Sequence, residues 1–274
     1  MTDPFKITEP TVISFSGGRT SGYLLWRVLQ SNNGLPDMAK VCFANTGKED
    51  EATLEFVKDC QENWNVPISW LEYRNADPKY KEVDFNTASR NGEPFEMLIE
   101  YKKYLPNPVT RFCTAELKIR TLNRYLKDLG WKHDENSDWI GIRADEPRRA
   151  AKVDKSRVPL FVDGVTAQDV GAFWKAQSFD LRLPNINGKT FHGNCDLCFL
   201  KGYPQTLSLI QEKPERAIWW AKMEATIKSS GKYQGDGARF RKDRPSYIQM
   251  MNFAHDQGDM FATEEENIAC YCGD

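Results

Sequence analysis

The chain has 274 residues, enough for one large domain or a core domain with a smaller appendage. Its formal charge of -2 sets up no global field for nucleic acid or an acidic membrane, and no apolar run approaches the roughly 20 residues that a membrane helix needs. The polar start from Met1 to Lys6 lacks the basic-then-apolar order of a signal peptide, so a cytoplasmic protein with no membrane partner is expected.

In chain order, Thr11 to Phe15 reads as a short strand. A Gly-Gly turn follows, and Ser21 to Leu29 carries Leu24, Leu25, Val28 and Leu29 at helical spacing. Lys40 to Ala44 is a second strand, broken by Asn45-Thr46-Gly47. Asp50 to Trp64 reads as a helix, with Leu54, Val57, Cys60 and Trp64 on one face and acidic residues at its N-terminus. Pro67 opens a third strand, Ile68 to Tyr73. Residues 75–110 are polar and resist assignment. Ala115 to Leu129 aligns Ile119, Leu122, Leu126 and Leu129 as a helix, and Trp139 to Ile142 is a fourth strand.

This alternation implies an α/β domain over residues 1–165: a mostly parallel sheet with helices on both faces, its ligands at the C-terminal strand ends. Residues 166–274 read as a smaller, helical, cysteine-bearing region. Thr166 to Asp169 resembles a capping box before a helix ending near Gln177, and Pro214 suits the first turn of a helix from Glu215 to Lys228. Gly231 to Arg244 is a basic loop with Tyr233 and Phe240 interleaved, whose default reading is a solvated loop. Trp219, Trp220 and Met223 fit a buried helix face, and His133, His192 and His255 show no metal spacing.

Two segments carry chemistry. Ser16-Gly17-Gly18-Arg19-Thr20-Ser21 lies between a strand and a helix. Its glycines let backbone N–H groups face an anion, the helix adds its positive end, and Arg19 adds charge. It lacks the Gly-Lys-Ser/Thr ending of a Walker loop. Seven cysteines form the second signal. Cys42 and Cys60 sit at apolar positions and read as core. Cys113, the pair Cys195 and Cys198, and the pair Cys270 and Cys272 remain. In a reducing compartment such clusters point to metal or redox chemistry rather than disulfides. The C-x-x-C alone admits a zinc knuckle, a redox pair or chance.

The run Ser14 to Ser21 resembles the PP-loop of the adenine-nucleotide α-hydrolase-like superfamily, specifically the phosphoadenosine phosphosulfate (PAPS) reductase family. Phe43 to Glu49, Cys113 to Lys118 and Gly141 to Arg149 continue the resemblance in the family's order. It implies that Ser16, Gly17, Gly18, Thr20, Ser21, Thr46 and Gly47 meet an adenine nucleotide. Arg143 and Arg148 or Arg149 become candidate anion clamps. Two departures stand out. Thr20 occupies the Asp position of ATP-splitting members, where an Asp would help manage Mg²⁺. Asn45 replaces the family's usual Asp.

The resemblance also implies a 4Fe–4S cluster, held by Cys113, Cys195, Cys198 and one terminal thiol such as Cys272, the other terminal thiol being the nucleophile. Phe112-Cys113 stands where the family has Cys-Cys, so a three-cysteine cluster and a structural Zn²⁺ are the other arrangements. Lys118 would offset cluster charge. Three functions follow. In the first, a thiolate of Cys270 or Cys272 reduces a sulfonucleotide (APS or PAPS), with a thiol or thioredoxin-like partner as reductant. In the second, an ATP-dependent adenylating sulfurtransferase thiolates a nucleic acid met by residues 232–244. The third is a non-catalytic nucleotide-binding module with a structural metal.

Overall fold

A computed structural model describes residues 3–131, 138–186, 189–193, 195–229 and 238–256. The sheet is built from β1 (Thr11–Ser14), β2 (Ala39–Asn45) and β3 (Ile68–Glu72), which run parallel in that order, and β4 (Lys81–Val83), which pairs antiparallel with β3. The three parallel strands are buried at nearly every position because both faces are covered. Their side chains alternate between two cores, as the period of two requires. Ile13, Val41, Phe43 and Trp70 face the larger core with α1 (Arg19–Asn32) and α2 (Glu51–Asn63). Val12, Cys42, Ala44 and Leu71 face Leu122 and Leu126 of α4 (Arg120–Asp128). Cys42 and Cys60 are core residues, as their apolar settings imply.

Three segments differ from the sequence-based expectation. The fourth strand shrinks to one bridge, Trp139 beside Ile13, with Trp139 N–H donating to Val12 O at 2.7 Å. The chain then turns off the sheet because Ile140 N–H bonds to Arg157 O at 2.9 Å. The helix expected over 115–129 divides into a wide π-turn at Thr114–Ile119 followed by α4. Ile119 and Leu129, expected on the apolar face, are about half exposed, whereas Leu122 and Leu126 are buried. The unassigned 75–110 stretch supplies β4 and α3 (Glu93–Lys102).

Beyond the sheet, α5 (Pro147–Ala150) and α6 (Pro159–Val162) are single turns. The capping box forms as read, opening α7 (Ala167–Lys175): Thr166 N–H donates to Asp169 Oδ2 at 2.8 Å. Helix α7 packs on α1 through Trp174, whose Nε1–H donates to Arg19 O at 2.8 Å. Gly22 makes room for that ring, since an added Cβ would lie 2.7 Å from Trp174 Cζ2. A short hairpin, β5 (Asn185–Ile186) and β6 (Lys189–Thr190), follows. The last described elements, α8 (Tyr203–Glu212), α9 (Arg216–Ser229) and α10 (Tyr247–Asp256), share a second core with α3, Cys198, Phe199, Trp219, Trp220 and Met223. Among the described residues, no helix is long and apolar enough to cross a membrane.

Trp174 is 2% exposed and packs against Phe56, Trp64 and Phe179. Trp174→Ala should cost about 3–5 kcal/mol in a urea titration; a loss below about 1 kcal/mol would show that α7 does not anchor α1.

Candidate functional site

The loop after β1 is shaped by one glycine and one serine. Gly17 adopts φ +78°, and a Cβ there would lie 2.6 Å from Thr53 Cγ2 of α2, so only glycine lets α2 approach. Ser21 Oγ gathers the loop: it accepts from Ser16 N–H at 3.3 Å and Gly18 N–H at 3.2 Å, and donates to Gly18 O at 2.9 Å. The result is a tight turn at the N-terminus of a 14-residue helix with no acidic residue in its first turn. Such a helix end favours an anion.

The charged residues around the loop differ in their engagements. Arg19 turns away from the loop: its guanidinium grips Asp180 at 2.7 and 2.8 Å and donates to the carbonyls of Leu181 and Leu183. Thr20 Oγ1 accepts from Arg143 Nη1 at 2.8 Å, joining the loop to the 143–149 segment. Glu146 lies between two arginines, accepting from Arg143 N–H at 3.0 Å and from the Arg149 guanidinium. Arg149 Nε is buried with no hydrogen-bond partner among the described residues, and Arg148 is exposed. The side of the loop lined by Arg19, Thr20 and Arg143 is closed by Asn185 and Thr190, leaving about 10 Å³, room for one water.

The end of β2 is the second wall. Asn45 is fully buried, and its Nδ2 donates to Glu72 Oε1 at 2.7 Å and Ser89 O at 2.9 Å. Glu72 is also fully buried and accepts from Ser89 and Lys81. This explains the departure from the usual Asp: a carboxylate at 45 would face the Glu72 carboxylate in a dry site. Asn45 Oδ1 accepts from Gly47 N–H at 3.0 Å and so shapes the turn. Gly47 takes φ +77° and packs its backbone on Gly92.

Beyond this turn the end of β2 meets the cysteines. Glu49 accepts from Thr46 N–H and Oγ1–H at 2.9 Å, and Thr46 Oγ1 lies 3.5 Å from Cys195 Sγ. Lys118 Nζ stands 3.9 Å from the Glu49 carboxylate, so the expected cation beside the cysteines is present. Burial, then the Glu49 carboxylate and the Cys198 thiol, hold the Cys195 thiol well above its usual value, against the pull of Lys118 and Thr46. A second tie is the ion pair Lys48 to Asp196 at 2.9 Å, with both side chains at most 10% exposed. Asp196 also accepts from Trp220 Nε1–H at 2.8 Å, and its N–H donates to Lys48 O at 2.7 Å.

Cys113, Cys195 and Cys198 are thiols packed against the second core. Among the described residues, no three His, Cys, Asp or Glu side chains are arranged to hold a metal ion. Cys270 and Cys272 lie outside the described residues, as do His133 and Gly231 to Gly237. The donor set still suits a thiolate-bound metal or cluster, because soft sulfur ligands share one core and a bound cation would stabilise the Cys195 thiolate. His192 lies in a turn, is buried, and shares a 2.6 Å hydrogen bond with Glu212. The partnerships missed from sequence are those of Glu49, Asp196 and Glu72, whose contacts form only once the fold buries them.

Asn45→Asp should cost about 3 kcal/mol at neutral pH, measured by urea unfolding. The penalty should shrink as pH falls, because one shared proton on the carboxyl pair replaces repulsion. Adding Glu72→Gln should restore most of the loss. A neutral effect at pH 7 would refute the buried-carboxylate explanation. Asp196→Ala leaves Lys48 and the Trp220 N–H unpaired and should cost a further-reaching 3–5 kcal/mol or so; unchanged stability would mean the ion pair does not hold the cysteine turn.

Residues 10–158 match the phosphoadenosine phosphosulfate reductase domain. An uncharacterised nin region protein of Escherichia phage lambda is 34% identical over 199 residues, 69% of this chain and 66% of its own length. An uncharacterised protein of Methanocaldococcus jannaschii is 27% identical over 148 residues, 54% of this chain and 26% of its own. An uncharacterised 37.8 kDa protein of Escherichia phage 186 is 27% identical over 179 residues, 54% of this chain and 52% of its own. The chain thus spans less than two thirds of each of these relatives. The match takes in the phosphate loop, the β2 end and the arginine segment that Thr20 holds, and covers more than half the chain, which makes this protein a member of the phosphoadenosine phosphosulfate reductase domain family.

Proposed function

We propose that this protein is an enzyme that binds an adenine nucleotide on the loop Ser16 to Ser21 and carries out sulfur chemistry at the cysteines beside it, with sulfonucleotide reduction as the reaction. The observation that carries the reading is the 3.5 Å approach of Thr46 Oγ1 to Cys195 Sγ. It puts the strand end assigned to the nucleotide in contact with the C-x-x-C turn.

In this reading the loop amides and the α1 N-terminus hold the phosphate or sulfate end of the nucleotide. Thr20 orients Arg143, and the Arg143–Glu146–Arg149 group offers guanidinium donors to the leaving phosphate. Thr46 and Gly47 border the ribose and adenine. A thiolate from Cys270 or Cys272 attacks the sulfate sulfur. An S–S bond forms, the S–O bond to phosphate breaks, and the nucleotide leaves with the electron pair. A dithiol reductant of thioredoxin type then attacks the cysteine sulfur, releases sulfite and is itself oxidised. Cys113, Cys195, Cys198 and whichever of Cys270 and Cys272 is not the nucleophile would hold the 4Fe–4S cluster, or a Zn²⁺ in its place. Such a group would supply a soft, charged centre. Lys118 and Glu49 balance charge at its edge.

A second reading, ATP-dependent thiolation of a nucleic acid, gains support from the basic segment near Arg244. Arg244 donates to Phe199 O and Tyr247 OH donates to Leu197 O at 2.6 Å, so this segment grips the cysteine turn. With Thr20 in place of an Asp, Mg²⁺ would have to be held by the nucleotide's own oxygens and water.

Anaerobically purified protein should contain about four irons and four sulfides per chain, and Cys195→Ser and Cys198→Ser should each lose most of that content. It should release sulfite from APS or PAPS with a dithiol reductant, and Gly18→Asp should abolish nucleotide binding by crowding the loop with a like charge. Stoichiometric zinc without sulfide, and no sulfite from either nucleotide, would overturn the reductase reading.

A further inference from the structure

A second cavity lies away from the loop Ser16 to Ser21. It is an open cleft of about 500 Å³ between the start of α8, the 239–245 segment and α10. That volume lies within the range of pockets that take one nucleotide-sized ligand. Its lining combines cations with aromatic walls: Arg239, Lys242 and Arg244 beside Tyr203 and Phe253.

The charges in the cleft are unequal in their engagements. Asp243, its one acidic lining residue, is taken up by Arg241, whose hydrogen bonds hold the carboxyl down to about 2. Arg244 is buried and fixed to Thr206 Oγ1 at 3.2 Å and to Phe199 O. Arg239 makes one long bond, Nη1 to Arg244 O at 3.4 Å, and its buried Nε has no partner among the described residues. Lys242 is exposed at the rim. The result is a net positive cleft with an unsatisfied guanidinium donor, two aromatic faces and two helix N-termini at its border. Cations track a phosphate backbone and aromatic rings stack bases, the combination that single-strand binding grooves use.

Position adds to chemistry. The segment that lines the cleft is the one that holds the cysteine turn, through Arg244 to Phe199 O and Tyr247 to Leu197 O. A ligand in the cleft therefore lies against the scaffold that carries Cys198. An adenine mononucleotide has its own loop at the other wall, so a second base-and-phosphate site adjoining the cysteines suits a polymer.

We propose that this cleft binds single-stranded nucleic acid, with phosphates on Arg239 and Lys242 and a base against Tyr203 and Phe253, beside the cysteine turn. This deepens the second reading of the site. It rests on that reading only for what the strand is for, because the binding is measured without turnover.

The test is fluorescence anisotropy on the full chain, with a labelled single strand of roughly 12 nucleotides, as DNA and as RNA, a length within known site sizes. At least one of the two should bind. Lys242→Glu and Arg239→Ala should each weaken it about tenfold and flatten the slope of log affinity against log salt by roughly 0.7 per lost phosphate contact. Tyr203→Ala should weaken it without changing that slope. Lys127→Glu, the same charge change outside the cleft, should have no effect. Binding of AMP to the phosphate loop, read in the same variants, should be unchanged, and Gly18→Asp should do the reverse. Four results would overturn the proposal: no binding of either strand, equal binding by Lys242→Glu, displacement of the strand by AMP at the AMP concentration that fills the loop, or equal binding of base-free polyphosphate. Failure of sulfite release, by contrast, would leave the strand affinities intact and count only against the reductase reading.

Discussion

The buried ion pair between Lys48 and Asp196 ties together two parts of the chain that are far apart in sequence, and the site depends on it. Lys48 follows the strand end that bends at Gly47, and Asp196 lies between the two cysteines of the C-x-x-C. Taking both charges out of water is costly, so the pair persists only because its remaining hydrogen bonds are satisfied. Trp220 and the Leu197 N–H satisfy the Asp196 carboxylate, and Trp219 lies 5.2 Å beneath the Lys48 ammonium. Around this tie, Thr46 reaches Cys195 and Glu49 reaches both Thr46 and Lys118. The end of β2 and the C-x-x-C turn thereby become one surface.

The same constraint explains several residues that look arbitrary in isolation. Gly92 takes φ +85°, and any Cβ there would lie 2.5 Å from the Trp219 ring. That ring must sit where it does because it covers Lys48. Arg216 reaches back to Asp50 at 2.7 Å, pinning α9 to the residue that caps α2. Thus the second core is stitched to the sheet by buried or half-buried ion pairs as well as by packing. Such contacts set geometry more than they add stability.

Much of the sheet was legible because its strands are short apolar runs bounded by turn residues, and because α1 and α2 carry clear apolar faces. The tight turn between β1 and α1 was legible for a similar reason: its paired glycines mark a strand-to-helix junction. What the sequence hid was tertiary. Trp139 to Ile142 has strand composition, yet Arg157 captures its backbone after one bridge. Ile119 and Leu129 complete an apolar period that the π-turn breaks, around a Glu116 carboxylate that draws Lys102, Arg120 and Arg124. Arg19 looked like a phosphate ligand from its place in the loop; its guanidinium is engaged by Asp180, a partner 161 residues away that no local pattern announces. Asn45 looked like a weakened family residue until Glu72 stood beside it.

The central claim is that the nucleotide and the cysteine turn share one site at the end of β2. The most direct measurement is a crystal structure of the anaerobically prepared protein with a bound adenine nucleotide. The account predicts phosphate or sulfate oxygens on the amides of Gly17 to Ser21 and the ribose or adenine against Thr46 and Gly47, in contact with the Cys195 turn. A nucleotide bound elsewhere, or one held on the loop with its other end directed away from Thr46 and the cysteines, would contradict it.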